Sequence, residues 1–258
     1  MPLISVIMSI HNGEKTISRA LDSIFAQTVQ DFEIVICNDA STDNTQVLLD
    51  SYAKKDERII FIQNENKLGL ALSLNRCLQM ASGVFVARMD DDDVSLPDRF
   101  EKEINFLKEN DQYAFVGCNA LTFNDKAEGS VLSRPERPTK KDFLKGTPFI
   151  HPTVMFRAAP LLEVGGYSIA KYVQRRAQDY DLFMKLFAKN YIGYNIQEPL
   201  FKYFNSFETS KKKRTLGNAI DEMRIRFHGF RRMRMPIYSY FYVFVPLYVF
   251  AKHILFRR

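Results

Sequence analysis

The first ninety residues alternate between two apolar rhythms. Residues 4–10 form a near-continuous apolar run closed by His11-Asn12-Gly13, the pattern of a buried strand that meets a turn. Ile17, Leu21, Ile24 and Phe25 then recur on one helical face that runs to Gln27. Residues 32–37 predict a second strand, Asn38-Asp39-Ala40-Ser41-Thr42-Asp43 a polar connection, and Val47, Leu48 and Tyr52 a second helix. A third strand over 59–62, a third helix over 68–80 and a fourth strand over 84–87 complete the series. Such alternation predicts an α/β fold: a Rossmann-type, mixed and mainly parallel sheet flanked by helices. In these sheets ligands bind beyond the carboxyl ends of the strands. Asn12, Asp39 and the run Asp90-Asp91-Asp92-Asp93 all follow strands, so they are expected to converge.

The second half is less regular. Residues 113–118 read as a strand and 120–132 as a hairpin with Asn124-Asp125-Lys126 at its tip. The Pro-rich, charged stretch 134–141 is expected to be a mobile loop over the site. Residues 149–157 read as a turn into a strand, Gly165-Gly166-Tyr167 as a flexible turn, and Lys171, Arg175 and Arg176 as a basic loop. Leu182, Phe183, Leu186 and Phe187 give a helix opened by Gln178-Asp179-Tyr180-Asp181.

The four consecutive aspartates carry the sharpest chemical signal. Adjacent carboxylates repel, so a folded chain must hold them with a cation or with many hydrogen bonds. All-oxygen ligands at a strand end suit Mg²⁺ or Mn²⁺ better than zinc, and such ions keep positions open for substrate phosphates. The bland alternative is a solvated acidic turn capping a helix that starts near Leu96-Pro97, with Asp93 or Ser95 as the cap. Asp39 is placed to accept hydrogen bonds from a base or ribose, whereas Ser41, Thr42 and Asp43 need be no more than helix caps. No Gly-x-Gly-x-x-Gly follows the first strand and no Walker-type Gly-Lys-Ser/Thr occurs, which counts against nicotinamide and P-loop chemistry.

Charge adds an asymmetry. The chain carries +6 overall, but residues 201–258 hold a net +10 and residues 1–200 a net −4. A basic, aromatic tail on a neutral-to-acidic body suits an anionic surface. Ile220, Met223, Ile225, Phe227 and Phe230 alternate with Arg224, Arg226, Arg231, Arg232 and Arg234 as a basic amphipathic helix. Residues 237–251 then run without a charge, short of the ~20 residues that span hydrocarbon. Tyrosines, Pro246, Lys252 and His253 suit an interfacial segment. Packing against the body or a partner copy is one alternative, and a short or tilted membrane span is another. Cys37, Cys77 and Cys118 have no metal-like spacing, and their odd number argues against a disulfide framework. No basic segment precedes the apolar run at 3–10, so no signal peptide is expected.

Four ordered blocks resemble one family. Ser5-Val6-Ile7-Met8-Ser9-Ile10-His11-Asn12, Asn38-Asp39-Ala40-Ser41-Thr42-Asp43-Asn44-Thr45, and Ala87-Arg88-Met89-Asp90-Asp91-Asp92-Asp93 with Leu96-Pro97-Asp98-Arg99-Phe100 look like the inverting glycosyltransferases of family 2, with the GT-A fold. The likeness covers roughly residues 3–210 and specifies the family, not the sugar. It implies a metal-dependent, hexosyltransferase-type enzyme that uses a nucleotide-sugar, above all a UDP-sugar. Asp90 and Asp92 would hold Mn²⁺ or Mg²⁺. Ser9, His11, Asn12, Asp39, Arg88, Asp90 and Asp91 would meet the donor, with Asp39 reading uracil. Asp179 would be the general base, in a block where Gln178 replaces the usual Glu. His151 resembles the family's His-Pro block beside the acceptor, though a satisfied buried histidine is the plain alternative. Where relatives carry Tyr-Arg-x-His, this chain has Phe201-Lys202-Tyr203-Phe204; Lys202 could keep the charge, and Ser210 and Lys211 could close over the diphosphate. Equally, Lys211 belongs to a solvated basic run.

Domains then follow as a catalytic unit over 1–210, with a donor half (1–110) and an acceptor half (111–210), and a membrane-associating tail over 211–258. The expected partners are a nucleotide-sugar, a glycan or lipid-linked oligosaccharide and an anionic membrane on its cytoplasmic face. No nucleic acid is expected, and a homo-oligomer is left open. A non-catalytic nucleotide-sugar or carbohydrate-binding protein is one rival reading; a nucleic-acid binder using the basic tail is another.

Overall fold

A computed structural model describes residues 1–174, 177–205 and 215–255. The predicted alternation is realised as β1 (Ile4–Ile10), α1 (Ile17–Phe25), β2 (Phe32–Asn38), α2 (Thr45–Ala53), β3 (Ile59–Gln63), α3 (Leu70–Met80) and β4 (Phe85–Arg88). These four strands pair in parallel, in the order β3-β2-β1-β4. Side chains alternate faces along a strand, and the sequence exploits this. Ile4, Val6, Met8 and Ile10 of β1 join one apolar cluster, while Ile7 joins the other on the opposite face. Ile34 and Ile36 of β2 divide from Val35 and Cys37 in the same way. Both faces are covered, which is why these strands read as unbroken apolar runs.

Beyond β4 the sheet becomes mixed. A two-residue strand β5 (Val94–Ser95) precedes helix α4 (Arg99–Glu109), whose cap position is Asp98 rather than Asp93 or Ser95. The strand expected over 113–118 extends to β6 (Tyr113–Phe123) and turns back through β7 (Glu128–Leu132). β8 (Met155–Arg157) runs antiparallel between β4 and β6, followed by α5 (Ala158–Glu163), α6 (Lys171–Gln174) and α7 (Gln178–Ala188). The long strand β9 (Ile192–Phe204) pairs in parallel with β6. Its pattern escaped prediction because Glu198 and Pro199 interrupt the apolar run where the β6 register shifts. Among the described residues the sheet has nine strands.

Residues 134–141 are pinned instead of loose. Asn195 donates through Nδ2 to the Pro135 carbonyl (2.7 Å) and through its backbone N–H to that of Glu136 (2.9 Å). Gly165 and Gly166 both adopt positive φ (73° and 56°), which glycine takes at little cost. Gly166 also backs onto Asn75, leaving no space for a Cβ. Of the basic loop, Lys171 opens α6, while Arg175 and Arg176 lie outside the described residues.

The tail begins with α8 (Leu216–Arg232), and this helix packs on the catalytic body. Ile225, Phe230 and Met233 are buried in the same cluster as Phe183, Met184 and Phe187 of α7. Gly229 makes the approach possible, since a Cβ there would lie 2.2 Å from the Met184 sulfur. Arg232 Nη1 reaches Asp181 Oδ1 at 3.1 Å, and Arg226 Nη1 donates to the Leu144 carbonyl at 3.1 Å. The uncharged stretch folds as a 3-10 segment (Ile237–Phe244) and α9 (Val245–Leu255) laid against α8. Ile237, Phe241, Phe244 and Tyr248 stay exposed. Among the described residues no helix is long and apolar enough to cross a membrane.

Candidate active site

The loops after β1 and β2 are stitched together, as their positions at neighbouring strand ends require. Asn12, at φ 59°, accepts from the Thr42 N–H through Oδ1 (2.8 Å) and donates its own N–H to Ser41 Oγ (3.0 Å). The Gly13 N–H donates to Thr45 Oγ1 (2.9 Å), and His11 Nδ1 lies 2.8 Å from the Asp39 carbonyl. Ser9 is buried at the end of β1. Asp43 accepts the Thr45 N–H (3.1 Å) just before α2, whose cap position is Asn44, and the Glu14 N–H (3.1 Å).

Asp39 is buried, and its carboxylate accepts from Asn64 Nδ2 (2.8 Å), the Leu68 N–H (2.7 Å) and the Gly69 N–H (2.8 Å). Burial pushes its pKa up, but these donors outweigh burial and hold it below the ordinary value. It fixes the loop before α3. All three cysteines are buried and free.

The aspartate run gathers at the end of β4. Oxygen atoms of Asp90, Asp92 and Asp93 lie within 4.8 Å of one another. The third member of the group is thus Asp93, whose Oδ1 accepts from the Phe204 N–H (2.7 Å) and whose buried Oδ2 has no partner. Asp91 turns toward Gly13, where an added Cβ would meet its Oδ2 at 2.5 Å. Burial, then Asp92 and Asp90, raises Asp91 to about 7; burial, then Asp90, raises Asp92 to about 6. Burial and Asp90 also push Asp93 well above the usual carboxylate range. Carboxylates that repel one another and raise each other's pKa this way, one with an orphaned oxygen, fit a hard divalent cation.

Arg88 sits behind this group. It is 1% exposed, its Nη2 reaches Asp90 Oδ1 at 2.5 Å, and its Nε and Nη1 are without partners. So deep a guanidinium places its charge against Asp90 and keeps two donors unused. Arg99, fully buried in α4, donates through Nη2 to the Arg88 carbonyl (3.1 Å) and pairs with Glu103 (3.2 Å), holding the β4 terminus. Arg19 Nη2 donates to the Asp92 carbonyl at 2.7 Å.

Asp179 occupies the first turn of α7, where the helix dipole favours an anion. Burial nevertheless raises its pKa, with Arg88 opposing and Asp90 reinforcing that rise. Gln178 precedes it on the same turn. His151 Nε2 lies 2.7 Å from the Tyr167 hydroxyl, and burial together with Arg88 holds the imidazole well below its ordinary pKa. His151 is thus a neutral ring on the Asp179 side.

Lys202 is elsewhere. Its ammonium pairs with Glu128 of β7, because alternation along β9 turns Tyr203 to the site and Lys202 away. Tyr203 feels burial first and then Asp90, Asp93 and Asp92, which lift its pKa to about 12. Ser210 and Lys211 lie outside the described residues. Sequence reasoning missed Asp93, Tyr167, Tyr203 and Arg134. Asp93 had a signal in its place in the run, and Arg134 one in the charged stretch 134–141.

Residues 5–164 match the family model described as glycosyl transferase family 2. A Bacillus subtilis (strain 168) protein that carries the provisional name glycosyltransferase EpsE is 37% identical over 95% of this chain and 88% of its own. An Escherichia coli UDP-Gal:alpha-D-GlcNAc-diphosphoundecaprenol beta-1,3-galactosyltransferase is 30% identical over 89% of this chain and 84% of its own. Among solved structures, Staphylococcus aureus TarS (1–349) with UDP-GlcNAc superposes with a TM-score of 0.72 at 19% identity, covering 98% of this chain and 73% of that one. The mannosyltransferase PcManGT from Pyrobaculum calidifontis, with GDP-Man and Mn²⁺, gives 0.68 at 18% identity over 97% and 75%. The fold is the GT-A type.

Proposed function

The chain belongs to glycosyl transferase family 2, and we propose that it is an inverting, metal-dependent enzyme that moves a hexosyl group from a UDP-sugar to a lipid-linked glycan in surface polysaccharide synthesis. The observation that carries this reading is the meeting of three carboxylates at the β4 terminus, with Asp179 across the buried Arg88. The donor preference and the lipid-linked acceptor rest on what the Escherichia coli relative is named for.

In this reading the nucleotide lies over the stitched loops of Ser9, His11, Asn12 and Asp39, with Asp91 beside them. Asp90 and Asp92 hold Mn²⁺ or Mg²⁺, with the free oxygen of Asp93 available to the same ion. When bound, the cation offsets charge on the departing diphosphate. Asp179 takes the proton from the acceptor hydroxyl as its oxygen bonds to the anomeric carbon and the bond to UDP breaks. His151, neutral and held by Tyr167, lines the acceptor side with Gln178. The exposed aromatic residues of the tail, together with Arg231, Arg234 and Lys252, rest on the anionic cytoplasmic face of the membrane.

UDP release from a panel of UDP-sugars, measured with lipid-linked acceptor and with Mn²⁺ or EDTA, tests the chemistry. Turnover should require the ion, and Asp92→Asn should weaken donor binding chiefly when the ion is present. Full turnover in EDTA-treated protein would refute the metal-dependent mechanism.

A further inference from the structure

Lys202 leaves the acceptor side without the cation that the sequence had offered, yet the structure places another one there. Arg134 follows β7, and its backbone is fixed on both sides. Its N–H donates to Asn119 Oδ1 (3.2 Å), its carbonyl accepts from Gln197 Nε2 (3.2 Å), and Asn195 grips the next carbonyl. The side chain is half-buried, Nη1 bonds only the adjacent Ser133 carbonyl (3.1 Å), and the buried Nε has no partner. Among the described residues Arg134 pairs with no carboxylate. Burial lowers its pKa, and the Asp179 carboxylate, within electrostatic reach, opposes that fall.

A rigidly presented guanidinium with a dry, unused donor is costly unless a ligand completes it. Its planar fork suits a phosphate or a carboxylate. We propose that Arg134 binds an anionic group of the acceptor, a phosphate or a carboxylate, close to the hydroxyl that Asp179 deprotonates. This rests on Asp179 being the base. The two sources of the anion are the diphosphate that links an acceptor sugar to its lipid and an acidic sugar within the acceptor.

The test compares kcat/KM for three acceptors that share the accepting sugar: a lipid diphosphate, a uronate-bearing glycoside and a neutral alkyl glycoside. Wild-type protein should favour one of the anionic acceptors over the neutral one, and which one identifies the source. Arg134→Gln should shrink that preference roughly 10- to 100-fold, the worth of a charge-assisted hydrogen bond, chiefly through acceptor KM. Arg134→Lys should recover part of it, and Lys202→Ala should retain it. A wild-type enzyme indifferent to acceptor charge, an equal loss on all three acceptors, or an equal rise in donor KM would each overturn the proposal. Asp179→Asn, assayed alongside, separates the two readings. If it retains turnover, the base assignment fails; if it loses turnover while Arg134→Gln treats all acceptors alike, only the anion site fails.

Discussion

Replacing Arg232 by Met would cut the ion pair that joins the tail helix to the helix bearing the proposed base. Asp181 is 2% exposed, and its carboxylate has two partners, the Ser168 hydroxyl and Arg232 Nη1 at 3.1 Å. Stripping a partner from a sealed ion pair costs about 3–5 kcal/mol. Here the Arg232 side chain is 40% exposed, so part of the attraction is already screened, and Ser168 remains. The net loss should be about 2 kcal/mol. For a chain of this size that lowers the melting temperature by roughly 4–8 °C. Asp181→Asn removes the charge that needs a partner, so adding it to Arg232→Met should cost less than the sum of the two changes. The double-mutant coupling should be on the order of 1–2 kcal/mol. Thermal melts and urea titrations of the four proteins measure it. Turnover should fall as well, since Asp179 stands two residues before Asp181 in the same first turn. A variant that melts within about 1 °C of wild type, with no coupling, would show that the contact contributes nothing and that the tail is held by apolar packing alone.

Four further outcomes can be checked. Asp179→Asn should reduce transfer about 10²- to 10⁴-fold while donor affinity holds, as loss of a general base requires. Because burial raises the Asp179 pKa, wild-type kcat/KM should be present above that raised value and be lost as pH falls through it. That acid limb should lie above the ordinary Asp value of about 3.9 and vanish from the residual rate of the Asn variant. Ile237→Asp with Phe241→Asp, at side chains 85% and 79% exposed, should weaken sedimentation with anionic vesicles and leave thermal stability intact. Unchanged sedimentation would remove the proposed membrane face. High salt should weaken wild-type sedimentation only in part, because aromatic burial is not screened.

The donor half was legible because both faces of its sheet are covered. Buried parallel strands leave apolar runs in the sequence, and the polar residues that end them are therefore conspicuous. Asp90, Asp92, Asn12 and Asp39 stood out this way as residues that follow strand ends. The acceptor half was less legible for a physical reason. Its strands pair out of chain order, with β9 beside β6 and β8 between β4 and β6, so no local pattern says which residues meet. Lys202 seemed to replace a missing Arg by position in the chain, but strand alternation turns it toward Glu128. Arg134 was not singled out within the stretch 134–141, since its place depends on Asn119, Asn195 and Gln197, all distant in sequence. Arg88 was recognised as part of the site, whereas its burial could not be read from a four-residue strand.

The packing of α8 also bears on reach. A head joined to a surface by a flexible linker samples many heights, and its effective concentration at any acceptor follows linker length. α8 is no such linker, for Gly229, Phe230 and Arg232 seat it against α7. Its 17 residues span about 25 Å at the usual helical rise, with the exposed aromatic segment beyond its end. A bilayer that receives this segment would hold Asp179 at one height above the lipid. The chain would then measure its acceptor as a ruler does, favouring glycans whose growing end stands at that height and passing over those too short or too long.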